Sequence, residues 1–115
     1  MSERYQVTAA EALRLLPDEG GKRFVKVLEH GSMELEIYVP KGKDFQQPHT
    51  RDELYFVVSG SGEFVNGPER HPFGPGDALF VPAGVEHRFE DFTEDFATWV
   101  VFYGFEGGEV DLIRE

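Results

Sequence analysis

The chain has 115 residues, 40% of them apolar and 14% aromatic, and a formal net charge of −11. Such a length and composition give one domain, spanning residues 1–115, with a single packed core, and exclude a disordered chain. The acidic balance disfavours nucleic acid and anionic membrane surfaces as partners. The absence of cysteine removes disulfides, thiolate catalysis and Cys-ligated metal.

The first element in chain order is a short helix. Thr8-Ala9-Ala10-Glu11 is a capping-box pattern, and good helix formers follow as far as Leu16, where Pro17 stops them. The spacing predicts a helix over 8–16, with Leu13 and Leu16 docking one apolar edge on the main body. Asp18 to Lys22, with Gly20-Gly21 inside, reads as a connector.

From Phe24 onward the period is that of extended chain. Phe24–Leu28 and Met33–Val39 read as two strands of a hairpin joined by Glu29-His30-Gly31-Ser32. In the second, Met33, Leu35, Ile37 and Val39 alternate with Glu34, Glu36 and Tyr38, the mark of a half-buried strand. Leu54–Val58, Glu63–Val65, Arg70–Phe73, Ala78–Val81, Glu86–Glu90 and Phe96–Tyr103 follow, separated by turns such as Asn66-Gly67-Pro68 and Pro75-Gly76-Asp77. No helix-length stretch divides these strands, so the fold class is all-β, and a closed antiparallel jelly roll fits best. The tail from Gly107 to Glu115 is expected to cover a sheet edge or a neighbouring subunit. The amino terminus is polar and no run approaches membrane-spanning length, so a soluble cytoplasmic protein is expected.

Two segments carry the chemistry. Gly76-Asp77-Ala78-Leu79-Phe80-Val81-Pro82-Ala83-Gly84-Val85-Glu86-His87 delivers one imidazole from a sharp turn at the end of a buried strand. Gln47-Pro48-His49-Thr50-Arg51-Asp52-Glu53 offers two nitrogen or oxygen donors and a carboxylate. In extended chain, residues two apart share a face about 6.6 Å apart, so Gln47 and His49 can converge on one ion. Glu53 would lie roughly 13 Å from His49 in a straight strand, so Thr50-Arg51-Asp52 must turn if it is to join them. Two imidazoles and one carboxylate are the ligand type of non-haem Fe(II) sites with open positions. The predicted metal ligands are therefore Gln47, His49, Glu53 and His87.

The spacing Gly76-x5-Pro82-x-Gly84-x2-His87 resembles the second motif of the cupin superfamily, with Asp91 where that family usually has Asn. The segment from Gln47 resembles the first cupin motif, His-x-His-x3-Glu-x6-Gly, with His49, Glu53 and Gly60 in place and Gln47 standing for its first histidine. Both motifs fall within 42–91. The resemblance implies a conical β-barrel, a single-domain cupin, often a homodimer, holding one divalent transition metal (Fe, Mn, Ni, Zn or Cu). It implies a small-molecule ligand or substrate in the barrel cavity.

Phe45, Arg51, Tyr55, Phe89 and Trp99 are candidates to line that cavity, with Arg51 the nearest cation for an anionic substrate. His30 and His71 fall outside both motifs and read as surface residues. The function expected is that of a metal-dependent enzyme of dioxygenase type acting on a small organic molecule. The alternatives are a non-catalytic small-ligand binder or sensor, and a metal-assisted sugar isomerase or epimerase. The outward strand residues Leu54, Phe56 and Val58 call for cover, which a homodimer would supply.

Overall fold

The computed structural model describes residues 5–17, 23–44 and 46–109. The connector expected at Asp18–Lys22, together with Phe45 and the tail beyond Glu109, lies outside these residues. Helix α1 (Ala9–Arg14) is shorter than the 8–16 expected. Its capping box is reciprocal, with Glu11 N–H donating to Thr8 Oγ1 and Thr8 N–H donating to Glu11 Oε1. The docking edge consists of Ala12 and Leu16, while Leu13 stays 38% exposed.

Among the described residues eight strands follow: β1 (Phe24–His30), β2 (Met33–Tyr38), β3 (Asp52–Ser59), β4 (Gly62–Asn66), β5 (Glu69–Phe73), β6 (Ala78–Val81), β7 (His87–Glu90) and β8 (Ala97–Tyr103). They form two antiparallel sheets, β1-β2-β8-β3-β6 and β5-β4-β7. The first hairpin is tighter than expected, because His30 pairs with Met33 across Gly31-Ser32.

The main core lies between the sheets and contains Tyr55, Val57, Phe64, Phe73, Leu79, Val81, Phe89, Phe96 and Val100. It is strongly aromatic, with Phe89 in ring contact with Tyr55, Phe64, Phe73 and Phe96. A second cluster covers the outer face of the larger sheet, where α1 packs through Ala12 and Leu16 onto Val27, Ile37, Val39 and Ala97. Trp99 and Val58 belong to this outer layer. Trp99 pairs with Ile37, whose side of the sheet faces away from the barrel interior, so its expected place in the cavity wall is corrected. Val58 likewise needs no second subunit for cover.

Gly60, the last residue of the first motif, is set by close packing. At φ 85° it lies in the left-handed region, and a Cβ there would sit 2.5 Å from the Phe96 Cα. Asp91 has φ 53°, the conformation that Asp and Asn tolerate best among residues with a side chain. That accounts for an Asp or Asn at the end of the second motif.

Candidate metal centre

His49, Glu53 and His87 each offer one ligand atom, and these atoms all lie within 4.8 Å of one another. They arrive from separate parts of the fold. Glu53 is in the middle of the larger sheet, paired with Val81 on β6 and Phe102 on β8. His87 opens β7 in the smaller sheet, opposite Asn66. His49 precedes β3, and the chain bends at Thr50 and Arg51 before the strand begins. This is the turn that Glu53 requires in order to face the same point as His49.

Backbone bonds hold the two motif loops together. Gly84 N–H donates to the His49 carbonyl at 2.7 Å, and the buried Asp52 carboxylate accepts from Ala83 N–H at 2.9 Å. Asp52 also accepts from Glu109 N–H, and Gly107 N–H donates to the Thr50 carbonyl, so the start of the tail caps the same junction.

The His87 ring is fixed from behind. Its Nδ1 lies 2.9 Å from the Val85 carbonyl, an acceptor only, so Nδ1 carries the proton and the Nε2 lone pair faces the cluster. That Nε2 comes within 3.1 Å of Glu53 Oε1, but the contact lacks hydrogen-bond geometry. Both Glu53 oxygens and His87 Nε2 are therefore buried with no hydrogen-bond partner among the described residues. Leaving such groups unpaired costs roughly 1–3 kcal/mol each, more for a charged one. An ion between them satisfies all three, so the donor set fits a divalent metal. Nitrogen and carboxylate donors suit Fe, Mn, Ni, Zn or Cu alike.

The environment tunes the two imidazoles in opposite directions. Burial lowers the His49 pKa, with His87 adding to that effect and Glu53 opposing it. For His87, burial also pulls the pKa down, but Glu53 and the Val85 carbonyl outweigh it and the pKa rises. Burial and the Glu53 carboxylate push the Tyr55 hydroxyl far up, so it stays a neutral donor.

The side chain beside these residues is Gln46, not Gln47. Gln46 Oε1 accepts from the Tyr55 hydroxyl at 2.8 Å and lies 3.4 Å from His49 Nε2, whereas Gln47 is exposed. The reason is local. Residues 46–49 are not in a strand, so positions two apart need not share a face. Instead Asp44 accepts from the Gln46 N–H at 3.1 Å, an Asx-type turn that swings Gln46 inward.

A cavity of about 960 Å³ opens beside the cluster. His49, Glu53, Gln46 and Arg51 line it, and so do Glu34, Glu36, Tyr38, Val100 and Phe102. The Arg51 guanidinium is bound to Glu34 and the Ser32 carbonyl and lies 5.8 Å from the centre of the Phe102 ring. Tyr55 and Phe89 are fully buried in the core behind the cluster. The alternation in β2 correctly separates two faces, but its polar face is cavity wall. Glu36 is the residue this hides: burial first, then Glu34 and Glu53, raise its pKa to about 7. His30 and His71 are exposed, as expected.

Comparison with known proteins agrees with this architecture. The cupin domain family model, Cupin_2, matches residues 34–103, and the chain belongs to the cupin family. An uncharacterized protein of Streptomyces coelicolor is 37% identical over 81 residues, covering 69% of this chain and 77% of the relative. The dimethylsulfoniopropionate lyase DddQ of Ruegeria pomeroyi is 33% identical over 72 residues, 59% of this chain but 35% of that enzyme. Among solved structures, a double-stranded β-helix protein of Klebsiella pneumoniae superposes with a TM-score of 0.72 at 19% identity, covering 88% of this chain and 90% of that one.

Proposed function

We propose that this protein is a metal-dependent enzyme acting on a small organic molecule in the barrel cavity, with His49, Glu53 and His87 as the metal ligands. The observation that carries the reading is the trio of buried ligand atoms on Glu53 and His87, next to the cavity and without a hydrogen-bond partner among the described residues. A protein does not keep such atoms facing one another without a cation or a proton to reconcile them. Gln46 is assigned the edge of the ligand set, in place of Gln47.

Two imidazoles and one carboxylate leave coordination positions open, and this supports a dioxygenase-type reaction as the first reading. A redox-active divalent ion would supply the chemistry of oxygen activation. The residues around it have separate tasks: Val85 fixes the His87 tautomer, Phe102 packs edge-on against His49, and Tyr55 holds Gln46. A second, non-oxidative reading as a lyase has the match to the Ruegeria pomeroyi lyase in its favour. A metal held by His49, Glu53 and His87 would supply Lewis acidity, and Glu36, which lines the cavity, would accept or donate a proton.

Metal analysis of untagged protein, followed by oxygen uptake on a panel of small organic acids and alcohols, tests these readings. Failure to retain any first-row transition metal after reconstitution rejects the metal-dependent enzyme. Turnover without oxygen consumption rejects the dioxygenase and favours the lyase.

We also propose that the protein is a cytoplasmic homodimer. Support for the dimer comes from Phe56 and Phe80, which stay 43% and 47% exposed on the outer face of β3 and β6. Among the described residues no helix is long and apolar enough to cross a membrane. Light scattering that reports a monomer at micromolar concentration rejects the dimer.

A further inference from the structure

We propose that Asp52 is a positioning residue of the candidate metal centre, and that the segment from Gly104 to Glu109 works with it as a clasp. This rests on His49, Glu53 and His87 being the metal ligands, as proposed above. It adds to that reading the group that sets their spacing.

The Asp52 side chain is buried, at 5% exposure, and each of its oxygens holds a different piece of the fold. Oδ1 accepts from Ala83 N–H at 2.9 Å, and Oδ2 accepts from Glu109 N–H at 2.8 Å. A carboxylate can serve both donors at once because both of its oxygens are acceptors. Losing either bond would leave a polar group unpaired at a buried junction.

What Asp52 holds is joined to all three ligands. It immediately precedes Glu53 at the start of β3. Ala83 lies in the turn closed by Val85 N–H donating to the Pro82 carbonyl at 3.2 Å, and the Val85 carbonyl holds His87 Nδ1. The next residue, Gly84, donates its N–H to the His49 carbonyl. A shift of the Ala83 turn against Asp52 therefore moves both imidazoles relative to Glu53. A metal site tolerates little such movement, because its ligand distances are fixed to within about 0.2 Å.

The segment after β8 closes the junction from the other side. Gly104 N–H donates to Ser32 Oγ at 3.1 Å, Gly107 N–H to the Thr50 carbonyl at 2.6 Å, and Glu109 N–H to Asp52. Thr50 and Asp52 flank Arg51 in the bend that turns Glu53 toward His49. Gly108 shows how closely the clasp fits. Its φ is 95°, and a Cβ there would lie 3.0 Å from Asp52 Oδ1 and 3.1 Å from the Ala83 Cβ.

Three variants of the full-length protein test the clasp. Asp52→Asn keeps the shape of the side chain but leaves one acceptor oxygen for two donors. Gly108→Ala pushes on the same junction without altering Asp52. Gly60→Ala strains the packing against Phe96 at the opposite end of β3 from Glu53, and so controls for lost stability alone. In metal-free protein, the imidazole carbon and nitrogen NMR signals report the surroundings of each ring. After loading with cobalt(II), visible absorption reports ligand geometry and competition with a chelating dye reports affinity. Asp52→Asn and Gly108→Ala should shift the ring signals of His49 and His87 and leave those of His30 and His71 in place. Both should weaken cobalt binding roughly tenfold or more and change the shape of its visible spectrum. Gly60→Ala should unfold more easily, yet keep the ring signals, spectrum and affinity of the parent.

The proposal is overturned if Asp52→Asn leaves the ring signals and the cobalt affinity at the parent values. It is equally overturned if Gly60→Ala weakens cobalt binding as much as Asp52→Asn does, since lost stability then explains the effect. The ring signals keep the two readings apart. A parent that binds no cobalt sinks the metal-dependent enzyme, while displaced rings in metal-free Asp52→Asn still establish the clasp. Tight cobalt binding that Asp52→Asn leaves unchanged does the reverse.

Discussion

The carboxylate of Asp44 and the carboxamide of Gln46 lock one another in place beside the candidate metal centre. Asp44 Oδ1 accepts from the Gln46 N–H, and Oδ2 accepts from Gln46 Nε2 at 2.8 Å and from Phe89 N–H at 2.8 Å. The Tyr38 hydroxyl donates to the same carboxylate. With its NH2 group bound to Asp44, Gln46 can only present its oxygen to Tyr55 and His49.

That lock predicts two outcomes. Replacing Asp44 by Asn puts an NH2 where two donors already point, and should cost about 2 kcal/mol in urea unfolding. Metal affinity, read by competition with a chelating dye, should weaken roughly tenfold, as for other residues that orient ligands from behind. Gln46→Ala should weaken metal binding similarly, whereas Gln47→Ala, at an exposed position, should change neither quantity. Equal effects at the two glutamines would show that Gln46 has no special place in the site.

Glu53 leads to a trade-off between stability and function. Among the described residues its oxygens have no hydrogen-bond partner, and its carboxylate is 1% exposed, so in metal-free protein it is an unfavourable charge to bury. Glu53→Gln should leave the chelated protein as stable as the parent, or more stable by about 1 kcal/mol. Added metal should then raise the parent's melting temperature and not the variant's. For the parent, a hundredfold excess over Kd corresponds to about 2.7 kcal/mol. A variant that is stabilised by metal as strongly as the parent would remove Glu53 from the ligand set.

The strands and the capped helix could be read from periodicity and turn residues, because each depends on local chemistry, whereas the meeting of His49 with His87 is implied only by the resemblance of the two motifs to those of cupins. Gln46 could not be read in either way, since its inward direction follows from Asp44, whose own position depends on Phe89, distant in sequence and on the other sheet. Alternation in β2 separated Glu34 and Glu36 from Leu35 and Ile37, but period two cannot say which face meets water. Because the inner face of β2 lines a cavity, the usual assumption inverts there. Trp99 shows the same limit: both faces of β8 are apolar, one toward the core at Val100 and one toward α1.

Gly60 gives a prediction about the fold independent of any metal. A Cβ there meets Phe96 Cα at 2.5 Å and Phe96 N at 2.8 Å, backbone atoms that no rotamer change can move. The positive φ adds the usual left-handed cost, about 1 kcal/mol or more. Gly60→Ala should lose about 2–4 kcal/mol in urea unfolding. Gly76→Ala has a similar φ but nothing within 4 Å, so it should lose only the conformational part. Equal losses at the two glycines would mean that close packing is not what selects Gly60.

Glu36 sets a pH dependence whose sign follows from its raised pKa. Burial and its carboxylate neighbours lift it from 4.5 to about 7 in the folded protein, so the folded state holds this proton more tightly than the unfolded chain does. Its contribution to stability is complete below about pH 4.5 and is lost as pH rises through about 7. The full shift corresponds to roughly 3 kcal/mol, which partial solvent contact reduces to about 2 kcal/mol. His49 works in the opposite direction, because its lowered pKa makes the folded state resist protonation as pH falls. Comparing Glu36→Gln with the parent cancels the His49 contribution. In chelated protein the stability difference measured in urea should be near zero at pH 4 and grow to about 2 kcal/mol in favour of the variant above pH 7. A difference that stays constant across that range would mean that Glu36 titrates as an ordinary surface carboxylate and takes no part in proton transfer at the cavity wall.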